Sequence, residues 1–254
     1  MLLLRRAAAP LVLLLALLGT AAAAEPRTVI YDLDDTLIGT QQLYERATDQ
    51  FVALAKTRGI DGRRARAVFE RTDLAYAKTF GLSKKRLPTA MHDAMVELTG
   101  DAKAGRQAAR IARNVFVSRE RNYPNARAVL QDHQAAGDRV IILTKGVRSL
   151  QEARIARSGL AGLFDHVEIV PDKSAASYTK LIRKFNLDPE RTFVVGNSFK
   201  SDIATAHAAG IPGKNTIWLA QRVMWKHELL GIPKTARQTT RRATSLRAAQ
   251  RLIR

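Results

Sequence analysis

Arg27-Thr-Val-Ile-Tyr-Asp-Leu-Asp-Asp-Thr36 decides how this chain folds. Val29, Ile30 and Tyr31 are β-branched or aromatic, and the run ends directly in two aspartates, Asp32 and Asp34, one leucine apart. Such a run reads as a buried strand that delivers polar residues at its C-terminal end. After Pro124 the sequence alternates in a way that suits this strand. The pattern predicts a helix near 125–136, strand 139–143, helix 147–158, strand 166–170, helix 174–185, strand 192–195, helix 203–209 and strand 215–219. Strands separated by helices of this length predict an α/β fold with a doubly wound, Rossmann-like parallel sheet.

Between the first strand and Pro124 the pattern is different. Leu43, Phe51 and Leu54, and later Met91, Met95 and Leu98, fall at helical spacings, while Gly59, Gly81, Pro88 and Gly100 supply the breaks. This predicts an all-helical insert of about four helices over 41–121, interrupting a core made of 25–40 and 122–254. Near the end, Lys234, Arg237, Arg241, Arg242, Arg247, Arg251 and Arg254 occur with no acidic residue. Leu246, Leu252 and Ile253 are spaced for a final helix on the sheet, with a basic binding tail as the other reading.

The 254 residues suffice for one α/β domain with a smaller insert, and 46% hydrophobic with 26% charged residues describes a globular rather than a disordered chain. The absence of cysteine excludes disulfides, zinc–thiolate sites and thiol nucleophiles. His92, His133, His166, His207 and His227 lack metal-ligand spacing, no nucleotide-binding glycine loop is present, and Trp218 and Trp225 read as packing residues. A net charge of +19 attracts phosphorylated substrates, nucleic acid and anionic surfaces without choosing among them, and a basic solubilising surface is an equal reading. Residues 1–24, with Arg5 and Arg6, an apolar stretch and Ala22-Ala23-Ala24, have the three-part layout of a signal peptide. Pro10, Gly19 and the alanine run favour cleavage after Ala24 over an uncleaved membrane anchor. That predicts a periplasmic or secreted protein with no stable membrane span once the leader is removed.

Four strand ends carry polar clusters: Asp32-Leu-Asp34, Thr144-Lys-Gly146, Pro171-Asp-Lys173 and Gly196-Asn-Ser-Phe-Lys-Ser-Asp202. In a doubly wound sheet these loops meet along one edge, where ligands bind. Taken singly, each has a plain alternative: Asp34 or Asp35 as turn residues, Lys173 as a solvated side chain with Lys180 competing for its role, and Asp202 as an acid at a helix start.

Together, in this order and at these spacings, they resemble the haloacid dehalogenase superfamily of Asp-nucleophile hydrolases, and the helical insert matches that family's cap. The resemblance implies Asp32 as nucleophile and Asp34 as general acid and base. It also implies Thr144 as a phosphoryl-binding hydroxyl and Lys173 as the charge-balancing cation. Mg2+ would be held by Asp32, the Asp34 backbone carbonyl, Asp202 and Asn197. One position departs from the family pattern: Asn197 stands where Asp is usual, which implies weaker metal binding. The implied function is hydrolysis of small phosphate monoesters by an exported enzyme. Asp34 sets it apart from a dehalogenase, whose halide needs no proton. A phosphomutase or dehalogenase-type enzyme of the same superfamily, or a basic polyanion-binding protein with a vestigial site, remains as an alternative. Arg63, Arg64, Arg66, Lys84, Lys85 and Arg86 of the insert face either an anionic leaving group or solvent.

Overall fold

A computed structural model describes residues 26–220 and 240–253. The leader, Trp225, His227, Lys234, Arg237 and Arg254 lie outside the described residues.

In chain order the elements are β1 (Thr28–Tyr31), β2 (Ile38–Gly39), α1 (Gln41–Lys56), α2 (Gly62–Phe80), α3 (Arg86–Thr99), α4 (Ala102–Asn114) and β3 (Arg121–Asn122). There follow α5 (Ala126–Ala135), β4 (Arg139–Lys145), α6 (Arg148–Ser158), β5 (His166–Val170), α7 (Ala175–Phe185), β6 (Thr192–Gly196), α8 (Thr205–Ala208), β7 (Thr216–Leu219), β8 (Arg241–Ala243) and α9 (Leu246–Leu252). Six strands form one parallel sheet in the order β5-β4-β1-β6-β7-β8. Ile30 in the centre lies opposite Ile141 on one side and Val194 on the other.

β1 is covered on both faces, and its alternation assigns each residue to one of them. Val29 and Tyr31 join a core with Val129 and Leu130 of α5 and with Leu246 and Ala249 of α9. Ile30 joins a second core with Tyr178 and Leu181 of α7 and Ala206 of α8. The chain runs outward from β1 through β4 to β5 and then builds β6, β7 and β8 on the other side. The order therefore reverses beside β1, and a crevice opens at the strand C-termini there.

Helices α1 to α4 have a core of their own, built from Leu43, Phe51, Phe69, Met91, Met95 and Leu98 with a run of alanines. The alanines let the helices approach closely, and Asp61 and Asp101 cap α2 and α4 by accepting backbone N–H groups. The chain leaves the sheet and returns to it through the antiparallel pair β2–β3, with Ile38 opposite Asn122. Among the described residues no helix is long and apolar enough to cross a membrane.

Two elements differ from the sequence reading. The helix expected at 203–209 begins earlier, as a π-helical turn at Phe199–Ala204 that runs into α8. Ser198 starts this wide turn: its hydroxyl accepts from Ser201 N at 3.0 Å, and its own N–H donates to Asp202 Oδ2 at 2.9 Å. The second difference is β8, an edge strand that extends the sheet where the arginine-rich sequence gave no apolar alternation. Its cations are absorbed locally, with the Arg242 guanidinium 5.4 Å from the Trp218 ring centroid and Arg241 donating to the Leu252 carbonyl at 2.8 Å.

Candidate active site

Asp32 follows β1 directly, and its N–H continues the sheet by donating to Val195 O at 3.0 Å. The next residues form a tight loop in which Leu37 N and Ile38 N both donate to Leu33 O, while Asp35 takes a left-handed φ of 60°. Asp or Asn adopts that conformation more readily than most residues. Asp35 is thus the turn residue of the pair. Its carboxylate accepts from Thr40 N at 2.9 Å, Gln41 N at 2.8 Å and Thr40 Oγ1 at 2.8 Å, which caps α1 from a distance. Both aspartates line the crevice, but the Asp34 carboxylate is turned to α6 rather than α1.

The six residues expected to carry the chemistry, Asp32, Asp34, Thr144, Lys173, Asn197 and Asp202, all line one cavity of about 370 Å³ between the sheet edge and the helical block. Lys173 Nζ donates to Asp32 Oδ1 at 2.5 Å and to Asp202 Oδ1 at 2.6 Å. Burial works against the charge on Lys173, but the combined pull of Asp202 and Asp32 outweighs it and holds the ammonium above its ordinary range. Asp202 is pushed up, first by burial and then by Asp32, with Lys173 opposing. Its approach to the strand end depends on Gly196, since a Cβ there would lie 2.2 Å from Asp202 Oδ2. Lys180 is exposed and does not line the cavity.

Thr36 completes the environment of Asp32. Its hydroxyl donates to Asp32 Oδ2 at 2.8 Å and accepts from Asn197 N at 3.1 Å. Asn197 is further fixed through its carbonyl, which accepts from Trp218 Nε1 at 2.8 Å. Trp218 is therefore a packing residue with its one donor satisfied.

Asp34 is held by two residues the sequence reading did not single out. Gln151 Nε2 donates to Asp34 Oδ2 at 2.8 Å and lies 2.5 Å from Thr144 Oγ1, while Arg154 Nη1 reaches Asp34 Oδ2 at 2.9 Å. Asp34 Oδ1 is buried and has no hydrogen-bond partner. A buried carboxylate oxygen without a donor favours the protonated form. Burial indeed raises the Asp34 pKa, Arg154 opposes the rise and Asp32 adds to it. A signal for these two residues exists in the sequence: Gln151 and Arg154 stand three apart on α6, on the face that also buries Leu150 and Ile155. Polar side chains on a core-facing stripe need a buried partner.

Of the basic residues in the helical block, Arg66 and Arg86 line the cavity, whereas Arg63, Arg64, Lys84 and Lys85 are exposed and do not.

The oxygen donors suit a hard divalent cation. Asp32 and Asp202 offer carboxylates, Asn197 an amide oxygen and Asp34 a backbone carbonyl along the same cavity, whose lining includes no Cys, Met or His. Gly196 leaves room for Asp202 to reach this position, which a side chain would occupy.

The arrangement can attack an electrophile with Asp32, protonate a leaving group with Asp34, and offset anionic charge with Lys173. Comparison with known proteins places the chain among hydrolases. A family model described as haloacid dehalogenase-like hydrolase matches residues 26–210. A crystal structure of a haloacid dehalogenase-like family hydrolase from Xanthomonas campestris is 25% identical, has a TM-score of 0.70, and the match covers 90% of each chain. A glyceraldehyde 3-phosphate phosphatase of Pyrococcus abyssi is 26% identical over 202 residues, 76% of this chain and 80% of that protein. One of the same name from Methanothermobacter thermautotrophicus is 30% identical over 103 residues, 39% of this chain and 46% of that protein's length.

Proposed function

This chain belongs to the haloacid dehalogenase-like hydrolase family, and on that premise we propose that it is a magnesium-dependent phosphatase acting on small phosphate monoesters. The observation that carries the reading is the placement of two aspartates on one cavity, Asp32 against the Lys173 ammonium and Asp34 between Gln151 and Arg154. Asp32 lies against the Lys173 ammonium, as a nucleophile that must be anionic requires. Asp34, two residues on, is pushed toward its protonated form, as a proton donor requires.

In the proposed cycle Asp32 attacks phosphorus, and the bond to the ester oxygen breaks as Asp34 gives that oxygen its proton. The aspartyl-phosphate is then hydrolysed: Asp34, now a carboxylate, takes a proton from water, whose oxygen attacks phosphorus and releases Asp32 and inorganic phosphate. Thr144, on the wall beside Asp34, offers its hydroxyl to the phosphoryl oxygens. Lys173 donates to both Asp32 and Asp202 and offsets their charge. Magnesium bound by Asp32, the Asp34 carbonyl, Asp202 and Asn197 supplies the charge compensation that lets an anionic phosphate approach an anionic nucleophile. A dehalogenase, expelling halide, has no use for the proton that Asp34 is built to hold.

The phosphatase names of the archaeal relatives support the reaction class. The helical block serves as the cap that encloses the leaving group. The leader directs the enzyme out of the cytoplasm. N-terminal sequencing of protein from its native host is expected to begin at or near Glu25, and retention of Met1 would contradict export with cleavage.

The test of the reaction is release of phosphate from p-nitrophenyl phosphate by residues 25–254. Hydrolysis should require magnesium and stop with EDTA. Release unaffected by EDTA, or none from folded protein with magnesium, would overturn the reading.

A further inference from the structure

The alcohol half of the ester must occupy the cavity wall opposite the sheet, which is built from α1, α2 and the start of α3. Its charged side chains are Glu45, Glu70 and Asp73 against Arg66 and Arg86. In a chain of net charge +19 this wall is locally acidic. Both of its cations are already engaged. Arg66 Nη1 lies 3.5 Å from Glu45 Oε2 and 3.8 Å from Glu70 Oε1, and its Nη2 lies 2.6 Å from Asp49 Oδ1. Arg86 Nε lies 3.5 Å from Asp73 Oδ1, in a pair whose side chains are 8% and 14% exposed. Asp73 Oδ1 is itself buried and accepts no hydrogen bond.

Resting on the phosphatase reading, we propose that this wall is a leaving-group subsite for an uncharged, hydroxyl-bearing alcohol, and that Asp73 and Glu70 exclude substrates carrying a second anionic group. A hydroxyl can donate to Asp73 Oδ1, a buried acceptor that lies 3.5 Å from Arg86 Nε but accepts no hydrogen bond. It can equally bridge to Glu45 or Glu70. A carboxylate or second phosphate would instead be placed among three acids whose neighbouring guanidinium groups are held by those same acids. A cationic leaving group meets Arg66 and Arg86 in the same wall. Phe69, Leu74 and Leu87 supply an apolar surface for the carbon skeleton.

Two probes share a three-carbon skeleton and differ at one end: glycerol 3-phosphate ends in a hydroxyl, and 3-phosphoglycerate in a carboxylate. With the magnesium-loaded enzyme, kcat/KM for glycerol 3-phosphate is expected to exceed that for 3-phosphoglycerate by about tenfold or more, the scale of one uncompensated like-charge contact near a protein surface. Asp73→Asn and Glu70→Gln should each narrow that ratio by at least about threefold on the same grounds. Arg63→Ala, an exposed residue off the cavity, should leave the ratio unchanged. Should Asp73→Asn fail to fold because Arg86 loses its counter-ion, Glu70→Gln tests the proposal alone, its side chain being 42% exposed.

Wild-type enzyme that hydrolyses p-nitrophenyl phosphate yet takes both three-carbon esters equally, or prefers the carboxylate, would overturn the inference while sparing the phosphatase reading. So would choline phosphate outrunning glycerol 3-phosphate. Failure of both three-carbon esters to react or to compete with the aryl phosphate would overturn it as well. Absence of aryl phosphate hydrolysis would fall on the reaction class itself.

Discussion

Arg154 Nη1 donates to Asp34 Oδ2 at 2.9 Å, and the same guanidinium lies 3.3 Å, through Nε, from Glu120 Oε1. Glu120, with a side chain only 1% exposed, stands immediately before β3, where the chain returns from the helical block to the sheet. Arg157 Nη2 also reaches Glu120 Oε1, at 2.9 Å. Asp34 is therefore tied through one buried cation to the segment on which the helical block is hung.

Removing that cation should be costly in two ways. Arg154→Met leaves Glu120 with half its compensation and takes away the charge that restrains the Asp34 pKa. Breaking a buried pair from one side costs on the order of 3 kcal/mol, which urea denaturation would register. Turnover should fall by about tenfold to a hundredfold with little change in KM, because Arg154 positions Asp34 and does not bind phosphate. A raised KM with unaltered kcat would instead place Arg154 among the substrate contacts.

Asn197 offers a neutral oxygen where a carboxylate would bring charge. Asn197→Asp is expected to tighten magnesium binding by about tenfold, since affinity for hard cations rises with the number of charged ligands. Titration calorimetry with magnesium alone measures this without reference to turnover. An unchanged dissociation constant would remove Asn197 from the metal shell.

Beneath the site, Tyr31 Oη lies 3.0 Å from His133 Nε2, and His133 Nδ1 lies 2.9 Å from Asp138 Oδ2. An ionised carboxylate only accepts, so Nδ1 donates to Asp138 while Nε2 pairs with the tyrosine hydroxyl. Arg27 adds hydrogen bonds to both Asp138 oxygens at 3.0 Å. Burial pushes the Asp138 pKa up, but the bonds from Arg27 and His133 prevail and hold it below the usual aspartate value of 3.8. A depressed folded-state pKa means that the ionised form is favoured by folding. Its contribution is complete above about pH 4 and is lost as pH falls through the folded pKa. Asp138→Asn should accordingly be less stable at pH 6 by about 1–3 kcal/mol, and should lose less further stability than wild type between pH 5 and pH 3. Parallel losses in the two proteins over that range would contradict the assignment.

Much of the sheet was legible because its strands are buried on both faces and so read as apolar runs, with Val29, Ile30, Val194 and Val195 the plainest examples. Helices α1 to α4 announced themselves through heavy apolar residues at helical spacing and glycine breaks. β8 was hidden because an edge strand with two arginines has no alternation to read, and its partners, the Trp218 ring and a helix-end carbonyl, are distant in sequence. The π-helical turn at Phe199 was hidden for a different reason: it follows from Ser198 and Asp202 closing on each other, a local competition that periodicity does not register. In the site, the residues at strand ends could be found by position. Gln151 and Arg154 could not be found that way, since they act from a helix and take their meaning from Asp34, more than a hundred residues earlier. The basic residues of the insert carried the opposite lesson. Four of the six are solvated, and the two that reach the cavity are occupied by acids, of which sequence spacing pairs only Glu70, four residues after Arg66 on α2.

The central claim, attack by Asp32 with proton management by Asp34, is tested most directly by trapping the covalent intermediate. Asp34→Asn removes the group that activates water and should slow turnover by roughly 10²–10⁴. Acid quenching of that variant during hydrolysis of p-nitrophenyl phosphate, followed by peptide mass analysis, should show one phosphoryl group on the peptide containing Asp32, and none in the Asp32→Asn protein. Unmodified Asp32 in a variant still releasing phosphate, or a phosphoryl group on another residue, would contradict it.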